Sequence, residues 1–597
     1  MTNNFENIKL IYMKPISISI TKIGLFLLLA MAFSCKKGGD PTPTPTPGGG
    51  GGVVVPPVIT PAVDPATANT IGFFLDDWQP KSFVKPTFAD AAIPSSTATT
   101  VTADASDIVT KIPLSEFGHN GVWWMGPTIT EPGAVTNITN LHPHIIRFPG
   151  GSASDGYFWN SPEGVVPADA PAFQWDKDAV NKAADYNYGK TTLNWKCSLD
   201  NYYSLLQQTS NQGIITVNFG YSRYGTSADP VATAAHLAAD WVRYDNGRTK
   251  YWEVGNENYG DWEAGYRINL ALNKDGQPEF LTGAQYAKHF KVFADSMKKA
   301  ATEIGKTIYI GAVTVEAPAT ESWQTNTVKT WNSGMMTNIN NKADFYVVHN
   351  YFTPYDQASN ATVVLASALT VPGQMMDFVK QALQTNGATV KPIVMDEWNM
   401  WAKDLKQQVS NTSGVFAVLV MAEALKNKYG MSARWDLMNG WDNGNDHGLF
   451  SPGGEPGVTR WSPRPSFFYM YYLQKYLGDR MVSTAVQGSA DVKAYASTYS
   501  SGEANIVLAN VGAATQSVEI KIKNFNMGSR YYWYALEGSN DNGEFSRKVL
   551  INGSGPSGEA GGPAAYTSIG ARSAVTTDGV KVTVPARGVV LLVVEKK

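Results

Sequence analysis

Short apolar runs alternate along the middle of this chain with stretches whose apolar residues recur at helical spacing. Ile145-Ile146, Ile214–Phe219, Tyr251–Val254, Ile308–Val313, Asp344–Tyr351 and Ile393–Met395 read as buried strands. Ala232–Val242, Gly283–Ile304 and Gly414–Lys428 read as the helices between them. Strands alternating with helices predict a parallel α/β barrel over residues 111–478. It opens near Ile112, and a strand at Arg434–Met438 and a helix from Arg464 to Gly478 close it. From about Met481 the period changes to two, in Val492–Ala496, Ile506–Ala509, Val518–Ile522, Val580–Val584 and Val589–Val594, which predicts a β-sandwich over residues 479–597. Residues 61–110, with a strand expected at Ile71–Leu75, read as an extended segment that packs beside the barrel or adds strands to the sandwich. No internal repeat is evident.

The amino terminus has a different texture. Residues 1–34 read as an export signal, with Lys14 and Lys22 before an apolar run from Ile23 to Phe33 that is short for a membrane span. The run ends Ala32-Phe33-Ser34-Cys35, which resembles a bacterial lipoprotein signal and implies acylation of Cys35; an ordinary secretory signal is the alternative. Residues 35–60 hold alternating Pro-Thr from Pro41 to Pro47 and glycine from Gly48 to Gly52, a tether that cannot form a packed core. The expected location is therefore outside the cytoplasm, lipid-anchored to the outer membrane at the cell surface.

Composition changes this picture little. In 597 residues the formal net charge is −3 and no Lys/Arg cluster stands out, so nucleic acid is not an expected partner. With Cys35 acylated, Cys197 has no partner, which excludes a disulfide framework and a cysteine zinc site. The 17 tryptophans offer faces for sugar rings, though most buried tryptophan is simply core.

The candidate chemistry sits where strands end. In Tyr251-Trp-Glu-Val-Gly-Asn-Glu-Asn-Tyr-Gly260 an apolar strand breaks at Gly255 and presents Asn256 and Glu257, as expected at the carboxyl-end rim of a parallel barrel. Lys391-Pro-Ile-Val-Met-Asp-Glu-Trp-Asn-Met-Trp401 repeats the design. Asp396 and Glu397 fall on opposite faces if that strand runs straight, so one of them need face a cleft. Arg147 ends the strand before Pro149-Gly150-Gly151, and an arginine beside a carboxylate favours its ionised form. His349 and Tyr351, two apart, can face inward together. Ser152–Trp159 reads as a substrate-side loop, and Asn218 is within reach of a cleft. Glu116 and His119 fit a cleft or a structural role equally. The loop Asn439–His447 is acidic but lacks EF-hand spacing, since Gly444 falls where a ligand belongs; it reads as a substrate-binding or solvated loop, with Trp435 or Trp441 as a sugar platform. Trp398 is a further aromatic candidate for substrate contact.

These motifs resemble the catalytic motifs of the α-L-arabinofuranosidase family in the large retaining (β/α)8 clan of glycoside hydrolases. The resemblance covers roughly residues 110–478 and implies a (β/α)8 TIM barrel, with Glu257 as general acid/base and Glu397 as nucleophile. It also implies that Asn256 binds the sugar hydroxyl beside the reacting carbon, that Arg147 and Tyr351 contact the nucleophile, and that His349 supports the acid/base. Such chemistry needs no metal or cofactor, and it asks for a higher pKa at Glu257 than at Glu397. Three readings follow for the polysaccharide partner: an exo-acting arabinofuranosidase, an endo-acting β-glycanase of the same clan, and a silent carbohydrate-binding lipoprotein. No Gly-x-Ser-x-Gly elbow supports a serine hydrolase. The long amino-terminal extension departs from the plain intracellular members of the family and leaves the substrate open.

Overall fold

The computed structural model describes residues 58–597; the signal, most of the tether and Cys35 lie outside the described residues. Eight parallel strands close into a barrel: β1 Gly118–Asn120, β2 Ile145–Phe148, β3 Gln212–Val217, β4 Thr249–Val254, β5 Tyr309–Val313, β6 Phe345–Asn350, β7 Ile393–Trp398 and β8 Met431–Arg434. A helix follows each strand: α1 Pro132–Leu141, α2 Leu199–Thr209, α3 Pro230–Asp245, α4 Gly283–Glu303, α5 Asn326–Asn338, α6 Ala361–Thr385, α7 Asn411–Lys426 and α8 Pro465–Tyr476. The last strand ends at Arg434, so the expected strand Arg434–Met438 is instead the start of a rim loop.

Local chemistry sets where the helices begin. The side chains of Ser198, Asp229, Thr282, Thr325, Asn360 and Ser410 accept from backbone N–H groups in the first turns of α2 to α7. Each satisfies a donor that the helix itself leaves unpaired. Because every helix starts on the side where the preceding strand ends, these caps also fix the far anchor of each rim loop.

The amino end of the barrel is closed by the segment expected as a strand at Ile71–Leu75. It forms a 3-10 turn, Gly72–Leu75. The turn lets two successive rings enter the barrel mouth: Phe73 stacks on Tyr309 at 3.7 Å between centroids, and Phe74 lies 4.9 Å from Tyr251 and 5.8 Å from Phe345. Gly72 has φ +48°, and a Cβ there would meet the Pro392 ring at 2.5 Å, so the turn depends on glycine.

The β domain is built from both ends of the chain. In its largest sheet the order is 88–90, 571–575, 527–538, 589–596, 504–510, 492–498, 480–487, 99–111, 516–523, 580–584, with Val549–Ile551 paired onto 527–538. Thr99–Lys111 is thus an interior strand, antiparallel to Arg480–Gln487 and parallel to Gln516–Lys523. Residues 61–110 are therefore not a separate segment, and both placements open to them are found: Gly72–Leu75 packs on the barrel, while Phe88–Asp90 and Thr99–Lys111 add strands to the sandwich. Val101, Ala103, Ile506, Val518, Trp533, Val582 and Leu592 share one core, so the sheet folds over itself. Val507, Tyr532, Tyr534 and Leu591 join the barrel's core instead, and Tyr534 packs on Tyr472 and Tyr476 of α8.

Candidate active site

Side chains alternate along each barrel strand. On β4, Trp252 and Val254 pack outward into the helix layer, while Tyr251 joins the amino-end aromatic plug. Glu253 shares Tyr251's inward face and is fully buried. On β2, Arg147 is likewise buried above Ile145.

Arg147 is the hub. Its Nε donates to Glu253 Oε2 (2.8 Å), Nη1 to Asn120 Oδ1 and Glu397 Oε2 (both 3.0 Å), and Nη2 to Asn256 Oδ1 (2.8 Å). Asp396 Oδ2 lies 3.5 Å from Nε. Burial alone would lower the guanidinium pKa, but Glu253, Asp396 and Glu397 more than offset it and raise it further. One cation holds three carboxyl groups and the acid/base-side amide in fixed relation.

Asp396 and Glu397 do not fall on opposite faces. Between the pairs Val347↔Val394 and His349↔Glu397, β7 uses one more residue than β6, and between Met395↔Ser432 and Trp398↔Arg434 it uses one more than β8. This bulge turns both carboxyl groups toward Arg147, as an extra residue in a strand re-aims the side chains beside it. The same shift sends Trp398 outward. It is fully buried, its Nε1 donates to Ser432 Oγ at 2.9 Å, and its ring lies beside Phe416 of α7. Trp398 is a core residue, contrary to its expected substrate contact.

His349 bridges the two sides of the site. Nδ1 is 2.9 Å from Glu257 Oε1 and 3.8 Å from Glu397 Oε2, and Nε2 is 3.2 Å from Asp396 Oδ1. Burial opposes protonation, yet Glu397, Asp396 and Glu257 raise its pKa well above the ordinary value. The Tyr351 hydroxyl donates to Glu397 Oε1 at 2.7 Å. An oxygen of Glu257 and one of Glu397 lie within 4.8 Å of each other, with a His349 nitrogen in the same cluster.

Glu397 does not have the low pKa expected of a nucleophile. Burial raises it to about 7, and His349, Arg147 and the Tyr351 hydroxyl pull the other way without cancelling that effect. Burial likewise raises Glu253 to about 8, and Arg147 opposes it. Asp396, although buried, is held below its ordinary value by the Glu253 carboxyl, Arg147 and His349. Glu253, His349 and Asp396 place donor atoms within 4.8 Å of one another, as do Glu257, His349 and Glu397, spacing that can gather a cation. Arg147 already supplies positive charge to Glu253, Asp396 and Glu397 there, which disfavours a metal ion.

The turn that carries Glu257 is fixed from below. Gly255 has φ +79°, and a Cβ on it would collide with the Asn258 carboxamide; Glu257 itself has φ +40°. Asp155 Oδ2 accepts from Asn256 N and Asn258 Nδ2, and Asp155 Oδ1 from Gly220 N. Asn256 Nδ2 also donates to Glu263 Oε1 at 3.0 Å. Beyond β5, Glu316 accepts from Asn350 Nδ2.

Beside these carboxyl groups opens a cavity of about 1260 Å³; Glu257, Glu397, Arg147, Asn256 and His349 lie behind its lining, which meets them at Tyr351, whose hydroxyl bonds Glu397. Tyr351, Glu263, Gly151 and Ser152 line it, together with Trp123, Trp124, Trp175, Trp195, Trp262, Trp401, Trp435 and Trp441. Glu116, His119 and Asn218 do not. Glu116 precedes β1 and is buried without a hydrogen-bond partner among the described residues, His119 is buried on β1, and Asn218 is tied to Tyr224 and the Tyr221 backbone. Glu253, Asp396, Glu263 and Asn120 were not singled out as site residues. Of these, Glu253 carried a sequence signal, an acid inside an otherwise apolar parallel strand.

Known proteins share this architecture. Residues 137–361 match the family model described as the alpha-L-arabinofuranosidase 1 domain. The probable alpha-L-arabinofuranosidase C of Aspergillus terreus is 24% identical over 294 residues, 44% of this chain and 49% of that protein. The alignment thus spans about half the length of this curated relative. The crystal structure of alpha-L-arabinofuranosidase from Thermotoga maritima superposes with a TM-score of 0.55 at 16% identity, covering 83% of this chain and all of that one. A bifunctional glucanase-xylanase from a metagenome library gives 0.55 at 12% identity, covering 84% of this chain and all of that one. The fold is theirs. It is a (β/α)8 barrel with an appended β domain.

Proposed function

We propose that this chain is a retaining glycoside hydrolase of the arabinofuranosidase type. The observation that carries the reading is the carboxyl pair: oxygens of Glu257 and Glu397 lie within 4.8 Å, on the ends of β4 and β7, and their partners differ. Retaining enzymes place the two groups about 5–5.5 Å apart, and inverting enzymes leave room for a water between them. The family model over residues 137–361 supports the glycosidase class.

In the first step Glu397 attacks the anomeric carbon while Glu257 gives its proton to the leaving oxygen. In the second, Glu257 takes a proton from water, which displaces the sugar from Glu397. Arg147 and Tyr351 aim the Glu397 oxygens, and His349 holds Glu257 in place. Forming the glycosyl ester removes the Glu397 charge beside His349 and Glu257, so the group that gave its proton in the first step no longer faces a carboxylate in the second.

A second reading, endo-acting cleavage, is favoured by the cavity. At about 1260 Å³ it exceeds the roughly 300–1,000 Å³ of most small-molecule sites, and its tryptophans come from loops after β1, β2, β4, β7 and β8. Product profiles on arabinan, arabinoxylan, xyloglucan and β-glucan separate the two, with Glu397→Ala as control. Free arabinose supports exo action, a ladder of oligosaccharides supports endo action, and a fully active Glu397→Ala protein sinks both. We also propose export and anchoring through acylated Cys35; palmitate labelling that survives in Cys35→Ser would overturn it.

A further inference from the structure

We propose that Glu263, on the loop after β4, is a substrate contact that binds a sugar hydroxyl beside the acid/base; this rests on the glycosidase reading above. The Glu263 side chain is about 95% buried, at 5% residue exposure, yet it lines the cavity. One of its oxygens is already held. Oε1 accepts from Ser152 Oγ at 2.8 Å and from Asn256 Nδ2 at 3.0 Å. The other, Oε2, is buried with no hydrogen-bond partner among the described residues.

A buried polar atom left unpaired carries the full cost of its desolvation. Here that atom belongs to a carboxyl group clamped by two donors on its other oxygen, so its direction is fixed before any ligand arrives. The clamp also links it to the reacting centre, because Asn256 precedes Glu257 and is bonded to Arg147. Turns Gly260 N→Glu257 O, Glu263 N→Gly260 O and Tyr266 N→Glu263 O hold the loop that carries it. Burial, with Asp155 and Glu257 nearby, raises the Glu263 pKa well above the ordinary value. With Oε1 accepting twice, Oε2 is the oxygen left to meet the sugar, accepting from a hydroxyl when the carboxyl group is ionised and donating to one when it holds a proton. The ligand class is a hydroxyl-bearing glycone ring, since a hydroxyl can meet such an oxygen and an apolar group cannot.

The competing role is purely positional: Glu263 would only steady Asn256. A set of monodeoxy aryl glycosides tested on wild type, Glu263→Ala and Glu263→Gln separates the two. Glu263→Ala is expected to lose roughly 10- to 100-fold in kcat/KM on the parent glycoside. On one monodeoxy glycoside, that lacking the contacted hydroxyl, wild type and Glu263→Ala become equal. Glu263→Gln, which keeps an acceptor for Ser152 and Asn256 and puts an N–H donor in place of Oε2, retains activity within a few-fold. An equal loss on every glycoside assigns Glu263 to positioning and overturns the proposal, as does no loss on the parent. Calorimetric binding of the same glycosides to Glu397→Ala, with and without Glu263→Ala, reads the contact without turnover. If wild type hydrolyses nothing yet the chain binds a glycoside through Glu263, the hydrolase reading fails and the contact stands; if nothing binds, both fail.

Discussion

At the amino end of the barrel Phe73, Phe74, Tyr251, Tyr309 and Phe345 close the interior with rings, while farther along the same strands Glu253, Arg147, His349, Asp396 and Glu397 fill it with charge. Tyr251 and Glu253 are two residues apart on β4 and point the same way. The plug gains from removing apolar area from water and from ring packing, terms that neither titrate nor need a partner of set geometry. The charged floor is paid for by desolvation, offset only because Arg147 and His349 meet the carboxyl groups at hydrogen-bonding distances. One end of the barrel supplies stability, and the other spends some of it on chemistry.

This contrast can be broken at several points. The largest effect is expected for Glu397→Ala, with activity reduced by about 10⁴-fold or more and an unchanged circular dichroism spectrum. Glu257→Ala should be similarly impaired on substrates with poor leaving groups, and on an activated aryl glycoside, whose leaving group departs without the acid, azide should restore turnover by attacking the glycosyl ester. A rate unaffected by azide counts against the acid/base assignment. Next, Arg147→Met leaves Glu253, Asp396 and Glu397 without their shared cation, and should cost about 3–5 kcal/mol of stability as well as activity. Phe74→Ala should cost a similar 3–5 kcal/mol while leaving kcat/KM at 25 °C within about twofold. If it impaired catalysis as strongly as Arg147→Met, the two ends would not be separable.

The pH dependence sharpens the same comparison. Asp155 and Glu397 at about 7, and Glu253 and Glu316 at about 8, all have folded pKa values raised by burial. A raised folded pKa means that the native state holds protons the unfolded chain has released, so the stability involved is present at low pH and lost as pH rises through the folded pKa. Buried His119, His144, His289 and His447, lowered to about 3, act in the opposite sense, but only below about 6.5. Between pH 6.5 and 8 these carboxyl groups act together with His349, whose raised pKa has the same sign, and the melting temperature should fall across that window. The stability loss from Phe74→Ala should be the same at both ends of it. The smallest effect is expected at Trp398→Phe, which should melt earlier with little change in KM, whereas Trp441→Ala should raise KM for oligosaccharides with little change in melting.

The barrel and the catalytic strand ends were legible because their signals are local: an apolar run, a glycine break, an exposed acid. Glu257, Glu397, Arg147, His349 and Tyr351 meet at one site for that reason. Asp396 and Trp398 were misread because their facing depends on a one-residue excess in β7 relative to both neighbours, a register that β7's own sequence does not show. Ile71–Leu75 has the composition of a strand, but Phe73 and Phe74 enter one aromatic cluster, which strict alternation would not allow. Glu263 looked like any polar loop residue, since one of the two donors that fix its carboxyl group, Ser152, comes from a different rim loop. That residues 61–110 add strands to the sandwich was one of two placements the sequence left open, and the position of Thr99–Lys111 inside the sheet could not be read because its partners come hundreds of residues later.

That last feature bears on how the molecule is made. Thr99–Lys111 leaves the ribosome early, but its neighbours Arg480–Gln487 and Gln516–Lys523 follow only after the whole barrel has been synthesised. At about 5–20 residues per second, the roughly 370 intervening residues take on the order of 20–70 s. Through that interval a thirteen-residue strand with one apolar face stands with both edges unpaired, an open template for other chains. The β domain cannot mature ahead of the barrel, and a nascent chain stalled inside the barrel should be the species that chaperones have to guard.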